Sequence, residues 1–162
     1  EEFPQFSAAW YGRAVTPREP KYPKERALPP SEMCQLQTTV ARSGKRAVRL
    51  RTAGEGDMAA ITQYIHVEAG RPFRVTFHYL VPETLRGRVG LIVQEVGIPK
   101  ERYHEVTLKP GDGPTNGWQA CPIEVRTPEP GNRLVIAYVP VTGGPATVYV
   151  DDVEFEYLDM DR

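Results

Sequence analysis

Short runs of alternating apolar and polar residues, each closed by a turn-forming cluster, constrain this chain more than any other feature. The runs cover residues 33–42, 46–52, 59–67, 73–81, 88–96, 103–108, 118–126, 133–141 and 147–157. A period of two belongs to a half-buried strand, and no stretch carries the 3.6-residue period of a helix. Roughly nine short strands with turns every ~8–12 residues predict an all-β fold, a β-sandwich of jelly-roll type built from antiparallel strands. The last run is the most instructive. In Val148-Tyr149-Val150-Asp151-Asp152-Val153-Glu154-Phe155, the apolar residues share one face only if the acidic pair shifts the register. That predicts a β-bulge, whose adjacent acids either hold a cation or cap the bulge and face water.

The first 32 residues read differently. Pro4, Pro17, Pro20, Pro23, Pro29 and Pro30 exclude a helix and leave little room for central strands. Phe3, Phe6, Trp10, Tyr11 and Tyr22 make the segment too aromatic for a disordered tail. The expectation is an extended Pro-rich segment, residues 1–32, with one strand near 3–10, packed on the sandwich domain of residues 33–162 or on a neighbour. The 162 residues are enough for a real core. A net charge of −1 carries no signature of nucleic-acid binding, and no apolar run approaches the ~18 residues of a membrane span. The opening Glu1-Glu2-Phe3, without Met or signal peptide, reads as a mature secreted chain or an excised domain. Cys34 and Cys121 are the only cysteines, too few for a structural zinc site. They are either two buried thiols or a disulfide suited to an extracellular protein.

Catalytic patterns are missing. His66, His78 and His104 show no metal-binding spacing, no G-x-S-x-G motif occurs, and no carboxylate pair stands out. Pairing residues 59–67 with 73–81 as a hairpin about Gly70 gives a face assignment. Ile61, Gln63, Ile65 and Val67 with Phe73, Val75, Phe77 and Tyr79 face the core. Tyr64, His66, Arg74, Thr76 and His78 then form one outer patch, extended by Gln94. Such a patch offers stacking and hydrogen bonding, although ordinary cross-strand pairs look the same. Residues 134–141 are apolar on both faces and are expected to be covered by the N-terminal segment or by another molecule.

Four segments, in order, carry a family resemblance. They are Gly44-Lys45-Arg46-Ala47-Val48-Arg49-Leu50; the stretch Ile61–Val67 with Ala69-Gly70-Arg71-Pro72-Phe73; Gly117-Trp118-Gln119; and Val148-Tyr149-Val150-Asp151-Asp152-Val153. Residues 43–157 thereby resemble the jelly-roll carbohydrate-binding modules of families four, nine and twenty-two, in the galactose-binding-like group. Ala69 and Phe73 replace the family's usual Pro and Tyr, and Glu1-Glu2-Phe3 is a trace of its opening motif. The resemblance implies a structural Ca2+ with Asp152, Glu2 and a backbone carbonyl near Lys45 as ligands. It places Trp118 in the core. It also makes the outer face a concave sugar-binding surface. Its ligand residues would be Tyr64 and His78 foremost, with His66, Arg74 and Gln94 beside them and Trp10, Tyr11 and Tyr103 from loops. The implied function is non-catalytic binding of a polysaccharide or oligosaccharide by an extracellular or cell-surface module, without nucleic acid or membrane insertion. The alternative is a structural subunit of a secreted assembly, a filament or layer, whose N-terminal segment adds a strand to a neighbouring copy.

Overall fold

The computed structural model describes residues 10–14, 30–44, 47–54, 56–99 and 102–158. Ten strands and one short helix follow in chain order: β1 Trp10–Ala14, α1 Pro30–Met33, β2 Cys34–Gln37, β3 Ala47–Thr52, β4 Ala59–His66, β5 Phe73–Leu80, β6 Arg88–Glu95, β7 His104–Leu108, β8 Gln119–Val125, β9 Leu134–Thr142 and β10 Ala146–Tyr157. They form two five-stranded antiparallel sheets, a first of order β1-β4-β9-β6-β7 and a second of order β2-β3-β10-β5-β8. The all-β sandwich is therefore as expected, with ten strands among the described residues instead of nine. α1 is a single turn where no helix was expected, and Pro30 is tolerated as its first residue.

Both sheets turn their alternate side chains onto one core. Ile61, Leu91, Val93, Val135 and Val139 come from the first sheet, and Leu50, Phe73, Val75, Phe77 and Val148 from the second. The hairpin expected about Gly70 does not form. β4 pairs with β1 and β9, whereas β5 pairs with β10 and β8, so residues 67–72 carry the chain from one sheet to the other. Alternation specifies which side of a strand meets the core. It does not specify the sheet, because both sheets bury the same face against the same core.

Local chemistry sets the strand ends. β2 stops at Gln37, short of the expected 42, because the Gln37 amide closes the next turn on itself: Oε1 accepts from Thr39 N and Val40 N, and Nε2 donates to Val40 O and Ala47 O. β1 begins where the expected N-terminal strand ended, and residues 1–9 lie outside the described residues. Trp118 precedes β8 and is half-buried, not a core residue. The register shift expected in the last strand is present between Asp151 and Glu154.

The disulfide is excluded by topology. Cys34 lies on β2 and Cys121 on β8, the two opposite edges of the second sheet. Four inter-strand spacings separate them by roughly 19 Å, against a Cα separation of about 7 Å at most for a bridge. Both are free thiols, and Cys34 Sγ lies 3.7 Å from Ala60 O as a weak donor. The same alternation that hides two thiols in one core says nothing about their lateral distance.

Candidate functional site

The crossover between sheets divides the expected patch between two opposite surfaces. Tyr64, His66 and Gln94 lie on the outer face of the first sheet, while Arg74, Thr76 and His78 lie on the outer face of the second. They do not form one site.

On the second sheet the polar residues satisfy one another. Arg74 donates to Glu124 at 2.5 Å and to Glu156 at 2.7 Å, and Arg126 meets the other oxygen of Glu124 at 2.5 Å. Hydrogen bonding to Arg74 holds the Glu124 carboxyl below its ordinary range, and Glu124 and Glu156 raise the Arg74 guanidinium above its own. His78 is only 6% exposed, and its Nδ1–H donates to the Asp152 carbonyl at 2.6 Å. Arg74 is thus engaged with two carboxylates, and His78 is buried against the bulge. The sequence reading missed this because the bulge, although expected, turns its Asp152 carbonyl onto the neighbouring strand at His78, a cross-strand contact that face counting along β5 does not report.

The bulge also holds Asp152, the one expected calcium ligand among the described residues. Asp152 has φ +46°, in the left-handed region that Asp tolerates better than most residues. Its carboxylate pairs with Arg42 Nη1 at 3.0 Å and accepts from Ser43 Oγ at 2.6–2.7 Å. Asp151 Oδ2 accepts from the backbone N–H groups of Arg42 and Ser43. The acids thus anchor the loop before β3, and Arg42 supplies the positive charge. No group of three His, Cys, Asp or Glu side chains among the described residues is disposed to hold a metal ion. Glu2 and Lys45 lie outside the described residues.

The first sheet presents a different surface. Its outer face is ordered in cross-strand rows: His66 opposite Leu134; Tyr64 opposite Ile136, and Ile136 opposite Gln94; Thr62 opposite Tyr138, and Tyr138 opposite Ile92, which meets Glu105 on β7. Tyr64 is 48% exposed, the most exposed large apolar side chain among the described residues. Leu134, Ile136, Tyr138 and Pro140 are half-buried and make an apolar floor beside it. Thr62 Oγ1, buried at the centre, has no hydrogen-bond partner among the described residues. Tyr64 and Gln94 flank Ile136 at about 10 Å from each other, two strand spacings. At the Leu134 end the face runs into a cleft of about 420 Å³ lined by Ile98, Glu129, Asn132, Arg133 and Leu134. Buried Glu95 braces that cleft by accepting from Glu129 N and Asn132 Nδ2 through Oε1.

Three further expected residues lie in or beside the edge strands of the first sheet. Trp10 sits in β1 at the register position opposite Gln63, with Tyr11 opposite Thr62. Tyr103 precedes β7 and is half-buried. Tyr138 and Ile136 were not singled out from the sequence as ligand residues. Their signal was present in the apolar-on-both-sides run of 134–141: β9 is the central strand of its sheet, so one set fills the core and the other floors the outer face.

No sequence-family model and no curated protein sequence matches the chain. Solved structures do. TmCBM61, in complex with β-1,4-galactotriose, has a TM-score of 0.63 at 16% identity, over 97% of this chain and 91% of that one. This chain shares the fold of that carbohydrate-binding module. The C-terminal family 22 carbohydrate-binding module of Clostridium thermocellum Xyn10B matches at TM-score 0.53 and 15% identity, over 80% of this chain and 82% of its own. The bacteriophage CBA120 tailspike protein 4 enzymatically active domain matches 93% of this chain with 20% of its own, at TM-score 0.60 and 13% identity. The jelly-roll resemblance read from the four segments therefore holds at the level of the fold.

Proposed function

We propose that this domain binds a glycan, without catalysing its breakdown, on the outer face of the first sheet. One observation carries the reading: Tyr64, Ile136 and Gln94 stand in a single row across three strands, with Tyr138 in the next row. A pyranose ring has apolar faces and an equatorial rim of hydroxyls. An exposed aromatic plane over an apolar floor suits the former, and the Gln94 amide suits the latter. His66, exposed at one side, adds a further polar group. The fold shared with TmCBM61 and the family 22 module supports the same reading. We place the module outside the cell or at its surface, acting alongside a glycan-degrading enzyme. The alternative, a strand-donating subunit, would need β1 to leave the β4 edge that it occupies here and pair with a second copy.

The test is affinity electrophoresis and calorimetry against a panel of neutral oligosaccharides that begins with β-1,4-galactotriose. About half of the Tyr64 side chain remains exposed. Covering half of that on one ring face removes about 50 Å², or roughly 1.3 kcal/mol and close to tenfold in affinity. Tyr64→Ala is expected to weaken binding by about that factor while leaving the melting temperature within a degree or two. Undiminished binding by Tyr64→Ala would place the site elsewhere, and absence of binding to every glycan would end the proposal.

A further inference from the structure

The opposite end of the sandwich, where the chain passes from β5 to β6, holds a second concavity of about 280 Å³. Arg51 and Thr147 line it from neighbouring strands β3 and β10, and Glu83, Thr84 and Arg86 line it from the connecting loop. Its walls are held by backbone bonds. Arg86 N and Gly87 N both donate to Pro145 O at 3.0 Å, and Leu85 N donates to Asp112 O at 2.8 Å. Thr52 Oγ1 donates to Gly144 O at 2.7 Å, and the Leu85 side chain is buried as an anchor. A Cβ on Gly87 would stand 2.6 Å from two carbonyl oxygens, so the loop is pressed directly on the residues before β10.

The charges in this cleft are uncommitted. Arg42, Arg71, Arg74, Arg102 and Arg126 each pair with a carboxylate. Neither Arg51 nor Arg86 makes a side-chain hydrogen bond or ion pair among the described residues, and Glu83 on the rim pairs with neither of them. Planar guanidinium forks favour a carboxylate, which they meet in a bidentate manner. A bare inorganic anion would meet Glu83 as a repelling neighbour. A sugar acid instead offers a carboxylate to the arginines and hydroxyl donors to Glu83, with further hydroxyls for Thr84 and Thr147. The volume lies near the lower end for ligand sites and suits one ring, not a chain.

We propose that this cleft binds a single carboxylate-bearing sugar residue, a uronic acid, through Arg51 and Arg86. It is a second site, remote from the Tyr64 face, because Arg51 and Thr147 belong to the other sheet. The experiment titrates the full chain with trigalacturonate and with its fully methyl-esterified form, followed by amide NMR shifts and calorimetry. The acid is expected to shift the amides of Thr84, Arg86 and Thr147, to bind at least about tenfold more tightly than the ester, and to weaken as salt is raised. The double variant Arg51→Gln/Arg86→Gln is expected to lose that preference with an unchanged melting temperature, whereas Tyr64→Ala keeps it. This last arm separates the cleft from the neutral-glycan reading, since either can fail alone. Equal affinity for acid and ester would overturn the proposal. So would shifts confined to the Tyr64 face, or displacement by sodium sulfate at the acid's own affinity, which would mark a bare anion site.

Discussion

The Asp151–Asp152 bulge makes a quantitative prediction, because its three contributions can be removed separately. In Asp152→Ala the Ser43 hydroxyl loses its carboxylate, worth about 1 kcal/mol. The Arg42 pair is lost as well, but both side chains are partly exposed and solvent screening limits it to about 0.5 kcal/mol. Alanine must also hold the left-handed φ of +46°, which costs it roughly 1 kcal/mol more than residues suited to that region. The expected total is about 2.5 kcal/mol, or roughly 5–10 °C in melting temperature for a domain of this size. Asp152→Gly relieves only the backbone contribution and should lose about 1.5 kcal/mol. Asp152→Asn tolerates the conformation and keeps an acceptor for Ser43, so it should lose about 0.5 kcal/mol. Thermal and urea denaturation read the order Asn, Gly, Ala directly. If Gly proved no more stable than Ala, the backbone argument would be refuted. The same samples test the role given to Arg42. Saturation with a stabilising ligand at 100 times its Kd adds ~2.7 kcal/mol, so bound calcium would announce itself as a clear rise in melting temperature. Neither millimolar Ca2+ nor EDTA is expected to move the transition, and a shift of several degrees would overturn the claim that an arginine supplies the charge here.

Two other expectations follow from the second sheet. Glu124, its carboxyl held low by Arg74, contributes stability that is complete above the ordinary glutamate range and is lost as pH falls through the lowered value. Glu124→Gln should therefore be less stable than the parent at neutral pH, with the gap closing in acid, as pH-dependent urea titrations would show. Burial pushes the Cys121 thiol up, and Cys34 is buried at the far edge of the sheet. Both should remain alkylatable as free thiols after aerobic storage, slowly in the native state and quickly in denaturant, and an intramolecular disulfide in the mass spectrum would contradict the strand order.

Strand positions were legible because a period of two is a local property. Eight of the runs coincide with observed strands to within a residue or two at each end, and the bulge was legible from two adjacent acids that broke an otherwise regular run. Sheet membership was not legible. Tyr64 and His78 obey the same alternation, yet the residues between β4 and β5 send them to opposite surfaces of the molecule. A two-layer fold leaves this ambiguity in any sequence read strand by strand, because the inner faces of both layers look alike. The half of the patch that survives is the half whose members share a sheet, namely Tyr64, His66 and Gln94.

The loss of the other half strengthens the functional reading. The two outer faces have comparable polarity in sequence but opposite energetic character in the fold. The second sheet spends its charges internally: Arg74 lies between Glu124 and Glu156, Asp152 is bound to Arg42 and Ser43, and His78 is closed under a carbonyl. A ligand there would have to break bonds already made, at the full desolvation penalty of each partner left behind. On the first sheet a ligand meets an exposed aromatic ring and an apolar stripe whose covering releases water, so association has little to undo. Binding is decided by what a surface leaves unsatisfied, and that is the ground on which the face of β9 and its neighbours is proposed as the sugar-binding surface.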